Sequence, residues 1–236
     1  IKEWMNSIPM QRIRKEMFGN KELSICKMCR DDELMSGTSR RHKCNSKSAI
    51  FTKRNFHESY NQSPHRHIFE DTLKQDGSVL TYPIDMHIDL GNYCNLACKM
   101  CTPLASSKIA SQYKKWDIGI DNKKRTVTGN ILNDWTQDDA VWESVCDEII
   151  SFENLNNIHF MGGETMLTKR FSDFLDRLID SGKVQTNLSF VTNGTVIDST
   201  VIGKLEKIKG RINIECSIET TTEHNSYIRQ GTDTQK

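Results

Sequence analysis

No apolar run in the sequence approaches the roughly 20 residues a helix needs to cross a bilayer, so membrane insertion is not expected. An excess of either charge is also missing. The 32 Lys and Arg stand against 31 Asp and Glu, for a formal net charge of +1, and the mean hydropathy is −0.59. Neither value selects nucleic acid or any other partner class. No secretory segment is evident, which points to a reducing, cytoplasmic setting where clustered thiols bind metal more readily than they form disulfides. A length of 236 residues allows one domain of ordinary size, with a real core, and a small one beside it.

Cysteine is plentiful, with eight residues, and three of them are clustered. The run Gly-Asn-Tyr-Cys94-Asn-Leu-Ala-Cys98-Lys-Met-Cys101 directly follows the apolar stretch Ile84 to Leu90. Three thiolates on one loop can hold three irons of a cubane cluster and leave the fourth without a protein ligand. A metal with a missing protein ligand is a chemical site, as in catalytic rather than structural zinc. A zinc site would need a second C-x2-C or a histidine pair, and neither follows Cys101 closely. A disulfide reading leaves one thiol of the three unpaired.

The surrounding pattern is a set of strand ends. Asp85 to Gly91 reads as a strand, and so does Asn157 to Met161, which stops at Gly162-Gly163-Glu164. A helical pattern of Phe171, Phe174, Leu175, Leu178 and Ile179 then closes at Gly182. Asn187 to Val191 ends in Thr192-Asn193-Gly194, and Arg211 to Ile218 ends in Glu219-Thr220. Alternating strands and helices argue for a parallel sheet with its polar chemistry at the carboxyl ends of the strands, where such folds bind ligands. Gly162 and Gly163 allow close backbone approach, and Glu164 offers an acceptor for a cationic amine. The same residues also suit an ordinary strand-to-helix turn. Thr192, Asn193, Ser217 and Glu219 can cap or close turns as readily as they can face a ligand. Arg229 can form a bidentate pair with a carboxylate or simply be solvated.

The C-x3-C-x2-C spacing on a loop leaving a strand, followed by Gly-Gly-Glu, resembles the radical S-adenosylmethionine superfamily. The resemblance implies a partial (β/α) barrel, with about four of its six parallel strands present. It implies a 4Fe-4S cluster on Cys94, Cys98 and Cys101, with S-adenosylmethionine chelated to the open iron. Gly162, Gly163 and Glu164 would hold the methionine amine. Thr192, Asn193, Ser217 and Glu219 would face the ribose and carboxylate, and Arg229 would pair with the carboxylate. Reductive cleavage would give methionine and a 5′-deoxyadenosyl radical that takes hydrogen from the substrate, with a flavodoxin- or ferredoxin-type protein as electron donor.

The amino-terminal stretch contains Trp4-Met5-Asn6-Ser7, Cys26-Lys-Met-Cys29, Glu33 and Ser39-x-Arg41. It resembles the small SPASM/Twitch module that carries an auxiliary iron-sulfur cluster, placed before the barrel as in a phage-like group. Cys26 and Cys29 would be two of its ligands, and Cys44 is a further candidate. Enzymes with this module commonly act on peptides, which favours a peptide or small-molecule substrate over nucleic acid. The chain is expected to be an internal fragment, with a cysteine-containing module over 1–50, a linker over 51–83 and a truncated barrel over 84–236.

The remaining expectations are local. Ser7 and Pro9 start a helix that runs from Pro9 to Phe18 and stops at Gly19. Thr136 and Asp139 form an approximate capping box for a helix with Val141, Val145 and Ile149 on one face. Cys146 and Cys216 read as buried packing thiols. His57, His65 and His67 read as solvated loop histidines, and the basic clusters Arg40 to Lys43 and Lys123 to Arg125 as solvated faces. Two other functions remain open: a silent iron-sulfur module that relays electrons or binds a partner, and a zinc-binding interaction domain on Cys26, Cys29, His42 and Cys44.

Overall fold

The computed structural model describes residues 1–18, 23–39, 66–116 and 135–233. Gly19, Arg40, Arg41, His42, Lys43, Cys44, His57, His65 and Lys123 to Arg125 lie outside the described residues. The chain divides into two compact units, Ile1–Tyr82 and Pro83–Lys236. No helix among the described residues is long and apolar enough to cross a membrane.

The first unit is helical. Its described elements are α1 (Lys2–Met5), α2 (Ile8–Phe18), a 3-10 turn (Ser24–Cys26) that runs into α3 (Lys27–Ser36), and α4 (Arg66–Lys74). Helix α2 begins one residue earlier than expected, and α4 falls within the stretch read as a linker. Polar side chains hold this unit together. The Asn6 carboxamide exchanges two hydrogen bonds with the backbone of Val79, and the Arg14 guanidinium donates to the carbonyls of Gly77 (2.8 Å) and Met5 (2.6 Å). Partial burial lowers the pKa of Arg14. Gly37 takes the left-handed conformation (φ +70°) that ends α3, and the Ser39 hydroxyl donates to Glu33 Oε1 at 2.6 Å.

The second unit is built on a parallel sheet. Strands β1 (Asp85–Asp89), β3 (Asn157–Met161), β4 (Asn187–Thr192) and β5 (Ile212–Cys216) lie side by side in the order β1-β3-β4-β5. Register is even: His87 lies opposite His159, His159 opposite Ser189, and Ser189 opposite Asn213. Helices α6 (Asp139–Ile150), α7 (Lys169–Asp180) and α8 (Ser199–Leu205) fall between the strands in sequence.

The period-2 alternation of strands sorts the two faces of the sheet. Ile158, Phe160, Leu188 and Phe190 point into a core where Phe171, Phe174, Leu175 and Leu178 of α7 are fully buried. Phe160 and Phe190 each meet Phe171 with ring centroids 5.0 Å apart. Burying each such ring contributes roughly 1.5–3 kcal/mol, and Phe171→Ala removes about 3–5 kcal/mol once the cavity is counted. The opposite face carries His87, His159 and Ser189, joined by an edge-on histidine pair 4.9 Å apart and a His159 Nδ1 to Ser189 Oγ contact of 2.7 Å.

Three expectations are corrected here. Helix α6 is capped by Asp138, whose carboxylate accepts from the Val141 amide at 3.1 Å, rather than by a Thr136–Asp139 box. Its inward face is Trp142, Cys146 and Ile149, leaving Val141 41% exposed, because the large indole of Trp142 packs against Phe174 and sets the helix rotation. Cys146 is buried as expected, and burial pushes its thiol up to about 12. Cys216 is exposed instead, because β5 is an outer strand of the described sheet and is exposed along most of its length. His67 is exposed on α4, as a solvated histidine would be.

Candidate cofactor and metal site

Past β1 the chain turns through Gly91, Asn92 and Tyr93 into the cysteine loop. Backbone contacts hold this turn against the end of β3. The Gly163 amide donates to the Gly91 carbonyl and the Glu164 amide to the Tyr93 carbonyl, both at 2.8 Å. That crossing requires glycine: a Cβ on Gly163 would lie 2.2 Å from the Tyr93 oxygen, and one on Gly162 (φ +135°) 2.6 Å from the Gly91 oxygen. Thus the close backbone approach made by this Gly-Gly pair is to the cysteine loop itself.

Short polar side chains fix the rest of the loop. Ser106 caps α5 (Ser107–Lys115) and donates its hydroxyl to the Leu96 carbonyl at 2.7 Å. Ser107 Oγ accepts from the Cys94 amide and contacts its carbonyl. Two residues of the loop, Ala97–Cys98 (β2), pair antiparallel with Arg229–Gln230 (β6), which follows the short helix α9 (His224–Ile228). Arg229 is therefore set directly opposite Cys98, with Nη1 3.9 Å from the Cys98 sulfur. Sequence reading missed the β2–β6 pair and both serines. Two-residue strands carry no periodicity, whereas the Ser106-Ser107 doublet before Ile109 is a recognisable capping signal.

A cavity of about 240 Å³ opens at the carboxyl ends of the strands. Cys94, Cys98 and Cys101 line it together with Gly163, Glu164, Thr192, Asn193, Ser217 and Arg229. Among the residues expected at the site, Gly162 and Glu219 do not line the cavity: Gly162 packs against the backbone of Leu90 and Gly91, and Glu219 accepts from Arg229 Nη2 at 2.6 Å. Cys26 and Cys29 belong to the other unit, at the start of α3.

Glu164 is the hub of the cavity. It is 1% exposed; its Oε1 accepts from the Thr192 hydroxyl (2.6 Å) and the Met166 amide (3.1 Å), and its Oε2 accepts from the Asn193 amide (2.6 Å). A carboxylate has about four acceptor positions, so Oε2 retains capacity for one further donor. Asn193 continues the network: its Nδ2 donates to Asn95 Oδ1 at 2.9 Å, and Asn95 donates to Thr195 at 2.8 Å. Arg229 is 14% exposed at its side chain, and its Nε is buried with no hydrogen-bond partner. One fixed anion and one fixed cation thus face the same small space.

The thiols are electrostatically coupled. Burial pushes all three above their ordinary range; Cys94 is raised further by Glu164 and Cys98, Cys98 by Cys101, and Cys101 by Cys94. Arg229 pulls Cys98 and Cys101 back down. Two buried thiols, Cys94 and Cys98, and a partly buried one, Cys101, that oppose one another's ionisation suit a multiply charged cation that stabilises all three thiolates at once. Among the described residues no group of three or more His, Cys, Asp or Glu side chains is arranged to hold a single metal ion. A cubane does not require such convergence, since each thiolate binds a different iron. Soft sulfur donors, a buried wall and no fourth thiol or imidazole among the described lining residues fit an iron-sulfur cluster with one open position.

No family model matches the sequence, and no curated protein matches it. Among solved structures the chain is similar to Streptococcus suis SuiB. SuiB bound to S-adenosylmethionine aligns with a TM-score of 0.39 and 17% identity, over 75% of this chain and 33% of that chain. SuiB bound to precursor peptide SuiA gives 0.39 and 16%, over 76% and 33%. A further SuiB structure gives 0.42 and 16%, over 90% and 40%. The chain thus spans between a third and two-fifths of the length of SuiB.

Proposed function

We propose that this chain carries the cluster- and cofactor-binding part of a radical S-adenosylmethionine enzyme that acts on a peptide or small molecule. One observation carries this reading: Cys94, Cys98 and Cys101 share a single cavity with Glu164, Asn193, Ser217 and Arg229, which come from the ends of successive strands and the segment after the last. When bound, a 4Fe-4S cluster would supply the electron that cleaves S-adenosylmethionine to methionine and a hydrogen-abstracting 5′-deoxyadenosyl group.

The protein's own groups have defined tasks. Cys94, Cys98 and Cys101 would hold three irons. Glu164, already oriented by Thr192 and the Asn193 amide, would accept from the cofactor's ammonium through Oε2. Arg229, braced by Glu219, would offer its unpartnered Nε to the cofactor's carboxylate. Asn193 and Ser217 would meet its hydroxyl groups. Because these groups are fixed before binding, little reorganisation accompanies the reaction. In the helical unit, Cys26 and Cys29 are proposed to belong to a SPASM/Twitch-like auxiliary site.

Anaerobic reconstitution with iron and sulfide, reduction in the presence of S-adenosylmethionine and quantification of 5′-deoxyadenosine test the reading. Product from the parent that disappears in Cys98→Ala is the expected result. A reduced cluster that gives no product would overturn it.

A further inference from the structure

Cys94 borders two hollows. Besides the cavity above, a more open groove of about 440 Å³ lies between the start of the cysteine loop and α5, walled by Tyr93, Cys94, Lys108, Ser111, Gln112 and Lys115. Among the described residues, Cys94 alone is common to both walls. Among the described residues that line the groove none is a carboxylate, and the charged ones are Lys108 and Lys115. Seven positions apart on a helix, these two stand two turns from each other on one face. Both are exposed, and helix α5 carries Lys114 besides and no acidic residue. Tyr93, 58% exposed, stands at the rim.

Building on the reading of Cys94, Cys98 and Cys101 as ligands of a redox cluster, we propose that this groove is the docking surface for the protein that reduces it. The partner is a small acidic one-electron carrier bearing a flavin or an iron-sulfur centre. The proposed chemistry consumes one electron per cleavage, and Cys94, a proposed cluster ligand in the inner cavity, is also a wall residue of this groove. One electron leaves the reduced carrier, which is oxidised by one unit, and enters the cluster. No bond to the carrier forms or breaks, and no proton is required. Carboxylates of the carrier against Lys108 and Lys115 speed association and make it salt-dependent. The groove does not favour a nucleic-acid strand, which needs a run of phosphate contacts and stacked aromatics where this groove has two lysines and one tyrosine.

The first test uses the full chain without metal. Its affinity for an oxidised, acidic flavodoxin-type protein is measured at low and high ionic strength, for the parent, for K108E/K115E and for K108R/K115R. Charge reversal is expected to weaken binding about tenfold at low salt, the arginine variant to match the parent, and high salt to erase the difference. In the reconstituted chain, 5′-deoxyadenosine formation driven by the reduced carrier falls by a similar factor in K108E/K115E, while the yield driven by dithionite, which needs no docking, stays with the parent. Equal affinity of parent and reversed variant at low salt overturns the proposal, as does tighter binding of a short single-stranded oligonucleotide than of the carrier at the same lysines. If dithionite yields no product from the parent, the cofactor reading fails instead, and the metal-free binding comparison still decides the groove.

Discussion

The tetrapeptide Cys-Lys-Met-Cys occurs twice, at residues 26–29 and 98–101, in very different settings. The first copy spans the change from a 3-10 turn to α3, with its Met28 side chain 73% exposed. The second leaves a strand paired with Arg229, gains a third thiol from Cys94, and shares a cavity with a buried carboxylate. Identical local sequence therefore meets different surroundings, and the long-range partners of the second copy distinguish it: Glu164 and Asn193 from other strand ends, and Arg229 from 131 positions away.

Cysteine deletion breaks this comparison most directly. Cys98→Ala is expected to abolish cluster loading in the second unit and with it all 5′-deoxyadenosine, while Cys29→Ala leaves the spectroscopic signal of the Cys94–Cys98–Cys101 cluster in place. Iron content and low-temperature electron paramagnetic resonance of the two variants read this out. Loss of that signal in Cys29→Ala would show that the helical copy completes the site.

Gly163→Ala comes next. Its Cβ meets backbone rather than a mobile side chain, so the cysteine loop must separate from β3, at a cost of about 2–3 kcal/mol in urea unfolding. A cost under about 0.5 kcal/mol would mean that the loop is not held as described. Glu164→Gln keeps the shape of the hub and removes its charge. Asn193 and Met166 would still donate to the amide oxygen at most in part, and a loss of about 1–2 kcal/mol in stability is expected, together with at least roughly tenfold weaker binding of S-adenosylmethionine. Unchanged affinity would remove Glu164 from the proposed amine site.

The smallest effect concerns pH. The Cys146 thiol is pushed up from 9.0 to about 12 by burial, so above pH 9 the unfolded chain loses a proton that the folded chain retains. Stability conferred by this group is complete below pH 9 and declines toward pH 12, by at most about 1.4 kcal/mol per pH unit. Cys146→Val is expected to flatten that decline in urea midpoints measured from pH 8 to 10. An unaltered slope would assign it to other groups.

Much of the second unit was legible in the sequence because its signals are local. Apolar runs bounded by glycine or short polar residues located β1, β3 and β4 to within two residues at each end, and the Phe171–Leu178 spacing located α7. Most of the residues that cluster at strand ends in the sequence, from Cys94 to Arg229, share a cavity, with Gly162 and Glu219 outside its lining. What escaped depends on neighbours distant in the chain. The outer position of β5 in the described sheet exposes Cys216, and the indole of Trp142 turns α6 away from the face centred on Val141 and Val145. The Ala97–Cys98 pairing with Arg229–Gln230 is too short to leave any pattern, yet it brings a guanidinium to a thiol.

The two hydrogen bonds from the Gly163 and Glu164 amides to the Gly91 and Tyr93 carbonyls join the end of β3 to the root of the cysteine loop. Their protons can exchange with solvent only when the loop lifts from the sheet edge. Deuterium uptake at these two positions is therefore a clock for loop opening, one that runs in the metal-free chain and slows with each ligand that fastens the loop down.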